Sequence, residues 1–547
     1  MTTTAAKPEQ AGTGGRGGFT ARFLDGVERL GNKVPHPVLM FLYLIIGVIV
    51  LSHILYLLNV SVTEQIAEPA PVTVQPDYPE QSATPSGDLG PEVEATEAVI
   101  KEETIPAKSL LTAEGMRFIF TGFVGNFAAF TAMSVSIIAL LGAGIAEQAG
   151  MMGALIRKLV QVAPRRLFTF ILTFVGVLSS IASDAGYLIL IPLAAVAFMT
   201  LGRHPLAGMA TAFAGVGGIF LVNIFPTPTD SILIEITNEA ITAAGGTPLP
   251  ITADFYFAAA SAVVMAIVAT LVTERIVEPR LGAYRPEAGA TAAAEEPAVD
   301  TAGEARGLKA AFWGFLGVLV LVLLLTLPPG APLRSYEGSE TSPFLSSLLF
   351  VIFLFFLVSG ICYGFAAGTY KSKNDVVKAG TKAIAGLGGL IFMFLMISQF
   401  IALFNYSNMP RLAAVTMAGM LEQANFGALP LLVGMVVVLA LLDLILPGAV
   451  PKWAIFAPVF VPLFMRLGVG PAAVFSAYRV GDSPVNVITP LMVYLPFIVT
   501  IAQKYQKNAG IGTVVALMMP YTIILLVAWI LFGIAWFLLG IPIGPGS

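Results

Sequence analysis

Cysteine and histidine are scarce in this sequence, and their scarcity excludes several kinds of site. The 547 residues include one cysteine, Cys362, so the chain can form no intramolecular disulfide and no cysteine-based metal site. The three histidines, His36, His53 and His204, lie far apart and lack the spacing of metal ligands. We therefore expect neither a disulfide scaffold nor a zinc centre.

Charged residues are also scarce. They make up 11% of the chain, whereas soluble domains contain about 25%. The net charge is −4 and no part of the chain forms a basic domain, so nucleic-acid binding has no support. The GxSxG, HExxH, Walker A and Rossmann motifs are absent from the sequence. We predict that the protein is not an enzyme, has no cofactor beyond a coupling ion, and does not use ATP.

Apolar residues, in contrast, are abundant. They form 57% of the chain, with 54 Gly and 37 Pro, and the mean hydropathy is +0.86. A membrane-spanning helix needs about 20 apolar residues. Two regions, 167–201 and 430–466, are interrupted near their middles, and we predict that both are re-entrant helical hairpins. The expected fold is an all-α polytopic membrane protein with two such hairpins, discontinuous helices and nine transmembrane helices: 38–59, 128–148, 206–225, 254–275, 309–327, 344–367, 385–404, 473–502 and 512–540.

The distribution of Lys and Arg orients these segments, because basic residues concentrate in cytoplasmic loops. It predicts an internal N-terminus and an external C-terminus, although charge alone cannot separate a hairpin from two full helices. The first apolar run is too long for the core of a signal peptide, so we predict a retained helix. The predicted organisation is a cytoplasmic segment 1–37, a first transmembrane helix 38–59, a flexible external loop 60–112, a first repeat 113–275, a cytoplasmic linker 276–308, a second repeat 309–540 and an external C-terminus 541–547.

An internal repeat appears at an offset of 266 residues, and its two copies begin on opposite sides of the membrane. Inverted repeats with broken helices place binding sites near the bilayer midplane. We therefore expect a site where the broken helices, near 214–218 and 479–484, meet the hairpin tips. The matching positions include Pro192 with Pro458, Leu201-Gly202 with Leu467-Gly468, Pro205 with Pro471, and Gly215 with Gly481.

Four ionisable residues fall at membrane depth, where charge is costly and usually functional. Arg479 and Asp482 lie three residues apart on one helix face. One interpretation is that they form an internal ion pair. The other is that both are functional: Arg479 binds a solute carboxylate and Asp482 carries the coupling ion. Asp443 either carries a proton or bonds a loop backbone, and the sequence shows no partner for it. The fourth residue, Asp184, lies at the break of the first hairpin.

Small polar residues surround Asp184. Ser180 and Ser183 lie beside it, and this combination suits a Na⁺ or H⁺ site, whereas the alternative role of Asp184 is a helix N-cap. Trp453 either stacks on a ligand or packs in the core. Asn405, in the segment FNYSN, either binds solute or caps a helix.

The sequence resembles the AbgT family of p-aminobenzoyl-glutamate transporters, some members of which are described as sulfonamide exporters. The resemblance covers nearly the whole chain. It implies a homodimer with an inner dimerisation core, an outer part with two hairpins, and coupling to Na⁺ or H⁺. The family's functional positions correspond to Asp184, Trp453, Arg479, Asp482 and Pro490. The motifs that carry the resemblance are RLGNKVPHP (29–37), IASDAGYLILIPLAA (181–195), GRHPLAG (202–208), KWAIFAPVFVP (452–462), AYRVGD (477–482) and ITP (488–490).

The chain also departs from the family pattern. Ser180 and Asp443 stand where the family usually has Asn, and the second hairpin tip carries Val450 and Pro451 in place of hydroxyl residues. Pro484 and Val485 make a similar change in the second broken helix. These departures remove oxygen ligands and add one carboxylate, which favours H⁺ over Na⁺ coupling.

Together these observations predict a secondary transporter in the bacterial cytoplasmic membrane. It would move a small organic, carboxylate-bearing solute, similar to p-aminobenzoyl-glutamate or a sulfonamide, with an H⁺ or Na⁺ gradient. The expected solute-binding residues are Arg479, Trp453, Asn405, Ser183 and Pro490. The alternative is a channel, or a membrane receptor without coupled transport. Asp184, Asp482 and Asp443 are the expected ion-coupling residues, with a candidate Na⁺ position near Ser180 and Asp184.

Overall fold

The fold is almost entirely helical. Eight helices in the described part of the chain are long and apolar enough to cross a membrane, or nine if a bent pair that meets at 111° is one span. The predicted all-α membrane fold is confirmed, while the number of spans and the division into repeats stay predictions. The computed structural model describes residues 37–68, 99–182, 186–284, 301–335, 342–423, 427–446 and 448–545.

The described residues of the first half form ten α-helices. The bent pair is α4 with the segment that begins at Arg165 and includes α5, and a π-helical turn, Thr273–Val277, continues α9 into α10. These helices are α1 (Pro37–Leu57), α2 (Ala113–Ala128), α3 (Thr131–Gln148), α4 (Met151–Gln161), α5 (Phe168–Leu178), α6 (Ile191–Thr200), α7 (Pro205–Phe213), α8 (Pro228–Ala243), α9 (Phe255–Val272) and α10 (Glu278–Leu281).

The described residues of the second half form eleven α-helices. The helix that follows each predicted hairpin, α7 or α19, packs against both helices of that segment. The helices are α11 (Thr301–Thr326), α12 (Pro343–Ser346), α13 (Leu348–Ala367), α14 (Lys373–Gly386), α15 (Gly388–Tyr406), α16 (Met409–Gln423), α17 (Ala428–Asp443), α18 (Ala449–Arg466), α19 (Pro471–Asp482), α20 (Leu495–Tyr505) and α21 (Ile511–Leu538).

The loop predicted over 60–112 to be flexible forms regular structure at its two ends, while its external location stays a prediction. Strand β1 (Ser61–Glu68) pairs antiparallel with β2 (Val99–Pro106), and Ser61 lies opposite Pro106. Alternating polar and apolar residues in VTEQI and VIKEETI suit this two-stranded ribbon. The middle of the loop, 69–98, lies outside the described residues.

The first broken helix departs from the predicted span 206–225. After α7, a π-helical turn covers Ala214–Gly218, and the chain then runs without helix to Thr227. A helix, α8, follows between the predicted spans 206–225 and 254–275, where no helix was predicted. Its Glu235, Asn238 and Glu239 lower the apolar content of the segment, so apolar length did not predict this helix. The buried face of α8 packs against α18 and α3.

The second broken helix divides the predicted span 473–502 into α19 and α20. The segment 483–494 between them forms turns. A buried apolar core on one side of α19 includes Val480, and a second core on its other side includes Phe475 and Tyr478. Helix α19 is therefore fixed between the two cores, and it brings its polar residues to the centre of the protein.

Candidate functional site

The segments that interrupt the two broken helices contact each other: residues 214–227 after α7, called the first break, and residues 483–494 after α19, called the second break. The backbone N–H of Leu221, in the first break, donates to Ser483 Oγ in the second at 3.3 Å, and Arg479 donates from Nη1 to the carbonyl oxygen of Leu221. The backbone at Gly217 comes so close to the second break that a Cβ would lie 3.0 Å from Val487 Cγ1. Side chains of the second break thus satisfy the free backbone N–H and carbonyl groups of Leu221 in the first break, away from lipid.

Arg479 is the centre of a first buried ionic cluster. Its guanidinium is 1% exposed and pairs with Asp230 Oδ1 at 2.8 Å and with Asp254 Oδ2 at 2.7 Å. It also lies 4.3 Å above the ring of Phe475. Arg479 Nη2 has no hydrogen-bond partner among the described residues. We call Asp230, Arg479 and Asp254 the arginine triad.

Lys452 is the centre of a second cluster. Its ammonium contacts the carboxylate of Asp443 and lies 2.8 Å from Asp482 Oδ1, and all three side chains are fully buried. The hydroxyl of Tyr478 lies 2.8 Å from Asp482 Oδ1 and 2.6 Å from the carbonyl oxygen of Ala449. We call Asp443, Lys452 and Asp482 the lysine triad.

These clusters show partners that the sequence did not reveal, while the functional roles of Arg479, Asp482 and Asp443 stay predictions. Arg479 and Asp482 pair with different partners, so the internal ion pair between them does not form. Asp443 has a partner after all, because Lys452 follows it by nine residues across the turn of the second hairpin. We missed Lys452 because a lysine near the start of a helix normally extends its ammonium to the membrane surface.

Trp453 is fully buried in this structure. Its indole N–H donates to Thr237 Oγ1 at 2.8 Å, and its ring stacks on Tyr478 with centroids 4.3 Å apart. The side chain therefore packs between α8 and α19 here, which is the simpler of the two roles considered for it. The stacking connects Trp453 to Tyr478, whose hydroxyl contacts Asp482.

The first hairpin contributes Ser180 to the centre. Its hydroxyl donates to the carbonyl oxygen of Val177 at 2.9 Å and accepts from Asn223 Nδ2 at 3.0 Å. Asn223 lies in the first break and was not among the residues chosen from the sequence, although a single amide among apolar neighbours is a signal that could have found it. The other predicted residues of this tip, Ser183 and Asp184, lie outside the described residues.

Asn405 and Pro490 are both half-buried, and neither contacts either triad in the described structure. Asn405 lies in the last turn of α15, and its segment holds the β-ribbon: Asn408 Nδ2 donates to the carbonyl oxygen of Pro106 at 2.9 Å. Pro490 lies in the second break beside Thr489, whose hydroxyl donates to the backbone carbonyl of Asp443 at 3.0 Å.

The centre is closed in this conformation. A cavity of about 10 Å³ reaches Asp230 and Asp254, with Asn223 and Phe225 in its wall. That volume holds no more than about one water molecule. Solute can therefore reach Arg479 only after the surrounding helices move.

The chain is similar along its whole length to known membrane transporters. Residues 22–547 match the family model described as the AbgT putative transporter family. This chain belongs to the AbgT family. It is 33% identical over 525 residues to the p-aminobenzoyl-glutamate transport protein of Escherichia coli (strain K12), with 95% of each chain covered. It is therefore a multi-pass membrane transporter, as its composition and resemblance predicted.

Two solved structures share the fold of this AbgT-family chain. The YdaH transporter of Alcanivorax borkumensis is 36% identical, covers 93% of this chain and 100% of its own, and superimposes with a TM-score of 0.82. MtrF of Neisseria gonorrhoeae is 34% identical, with a TM-score of 0.79 and coverage of 96% and 100%. The MtrF structure is described as illuminating a class of antimetabolite efflux pumps.

Proposed function

We propose that this AbgT-family protein is a secondary transporter that moves a small carboxylate-bearing organic solute with an H⁺ or Na⁺ gradient. The solute would resemble p-aminobenzoyl-glutamate, for which the Escherichia coli relative is named, or an antimetabolite such as a sulfonamide, because MtrF is described among antimetabolite efflux pumps. The observation that carries the proposal is the meeting of two broken helices around Arg479, whose Nη2 has neither a hydrogen bond nor an ion pair among the described residues.

Arg479 is the proposed solute-binding group. Its planar guanidinium suits a carboxylate, and charge-assisted hydrogen bonds are the strong ones in a dry site. A solute carboxylate would bind Nη2 and compete with Asp254 for Nε. Trp453, Ser183, Asn405 and Pro490 are the further proposed solute contacts, and Trp453 would reach the solute only after its stacking on Tyr478 opens.

Ion coupling is proposed at the hairpin tips. Asp482 and Asp443 would bind the coupling ion at the second hairpin, and Asp184 would bind it at the first. Na⁺, if it is the ion, would lie near Ser180 and Asp184. We further propose a homodimer, an internal N-terminus and an external C-terminus. The hairpins would move against the dimer core, which agrees with the closed centre found here.

Reconstituted proteoliposomes test this proposal. Uptake of labelled p-aminobenzoyl-glutamate should saturate and should follow an imposed pH or Na⁺ gradient. Arg479→Lys keeps the charge but loses the fork, so we expect its KM to rise about tenfold or more, corresponding to about 1.5–3 kcal/mol for a hydrogen bond to a charged group. Gradient-independent flux would contradict the coupling, and unitary currents in single-channel recordings would favour a channel.

A further inference from the structure

The lysine triad carries more negative than positive charge. Asp443 and Asp482 supply two carboxylates, whereas Lys452 supplies one ammonium, and all three side chains are 0% exposed. An uncompensated charge inside a protein costs several kcal/mol. The triad therefore needs one more positive charge.

The surrounding groups do not supply that charge. The described ionisable side chains at the centre are Tyr478 and Arg479 from α19, with Asp230 of α8 and Asp254 at the start of α9. Arg479 is itself shared by Asp230 and Asp254, so it does not neutralise the lysine triad. No second basic side chain of the described residues contacts either triad.

The ligand that fits the lysine triad is a proton. Asp443 Oδ2 and Asp482 Oδ2 are both buried without a hydrogen-bond partner in the described structure, so each can take a proton. Lys452 already occupies the space between the carboxylates. Val450, Pro451, Pro484 and Val485 nearby supply no side-chain oxygen for a metal ion. The described residues also contain no group of three or more His, Cys, Asp or Glu that could hold one.

We propose that Asp443 and Asp482 share one exchangeable proton, with Lys452 as a permanent internal cation between them. Binding converts one carboxylate to a neutral carboxyl group, and release returns the proton to water when the second hairpin opens. The coupling role of this proton rests on the proposed function, but its binding does not. Asp443 is the residue that creates the proton site, because Lys452 and Asp482 alone would be neutral.

Infrared difference spectroscopy of the full-length protein in lipid tests the proposal without any solute. We expect a C=O stretching band from a protonated carboxyl group that disappears as the pH is raised and shifts in D₂O. Asp443→Asn should remove this band, and Asp443→Glu should restore one at a shifted position. Asp375→Asn changes a partly exposed carboxylate at the start of α14, far from the lysine triad in the chain, and should leave the band intact.

Three results would overturn the proposal. The band could be absent from the wild type across the accessible pH range, it could persist unchanged in Asp443→Asn, or Na⁺ could abolish it at constant pH. A circular-dichroism melt of each variant shows whether it is folded, and Asp443→Glu keeps the test decisive if Asp443→Asn is not. A wild-type band without p-aminobenzoyl-glutamate uptake would contradict the proposed solute and leave the proton site standing.

Discussion

Lys452 is the residue on which the centre of this protein most depends. Its replacement by Met leaves Asp443 and Asp482 buried together without a cation. Removing one partner of a buried ion pair typically costs about 3–5 kcal/mol, so we expect a clearly lower melting temperature for Lys452→Met in detergent. Lys452→Met combined with Asp443→Asn should recover part of that loss, because one carboxylate is gone. Equal melting temperatures for the single and double variants would contradict the triad.

Two variants can distinguish a packing role of Trp453 from a role in binding solute. Trp453→Phe keeps an aromatic ring against Tyr478 but loses the hydrogen bond to Thr237, at a cost of about 1 kcal/mol. Thr237→Val removes the same bond from the other side and is the matched control. If Trp453 binds solute, Trp453→Phe should raise the KM for p-aminobenzoyl-glutamate and Thr237→Val should not. The same KM in both variants would limit Trp453 to packing.

At the scale of elements, the contact between α5 and the first break depends on glycine. A Cβ on Gly215 would lie 2.4 Å from the carbonyl oxygen of Thr173 and 3.2 Å from the Cα of Gly176, so Gly215→Ala must separate two backbones. Overpacking costs about 1–3 kcal/mol, and we expect reduced thermal stability. Gly125→Ala, in α2, meets nothing within 4 Å and should be neutral or stabilising. Equal melting temperatures for the two variants would contradict the close packing.

The elements also show where sequence analysis succeeds. The length of the apolar runs predicted most of the long helices, because a helix that crosses lipid needs an apolar stretch of sufficient length, whatever its tertiary contacts. The Gly-rich segment AGVGG and the segment RVGDSP marked both breaks. Helix α8 was missed because its polar residues reduce its mean hydropathy while its apolar face is buried against protein, and hydropathy cannot distinguish such a helix from a loop.

At the scale of the whole molecule, the pairing of charges was beyond the sequence. Arg479 pairs with Asp230 and Asp254, more than 200 residues away, and only the fold brings them together. The sequence correctly chose Arg479, Asp482 and Asp443 as buried ionisable residues, but it offered Arg479 and Asp482 as a pair and showed no partner for Asp443. Their proposed roles in solute and ion binding stay predictions.

The orientation of the whole chain is open to a direct labelling test. In a Cys362→Ser background, Thr63→Cys in β1 and Ser372→Cys before α14 each place one thiol at an exposed position. We expect a membrane-impermeant maleimide to label Thr63→Cys in intact cells and Ser372→Cys only after permeabilisation. The reverse pattern would invert the predicted topology, and labelling of both in intact cells would contradict the predicted number of crossings between them.

Helix α19 joins the two ionic triads through a single turn. Arg479 and Asp482 are three residues apart on it, and Tyr478 bonds Asp482 from the same turn. If the arginine triad binds solute and the lysine triad binds a proton, the position of this one helical turn depends on whether each site is occupied. We therefore expect a fixed stoichiometry of solute to proton and little leak of either alone.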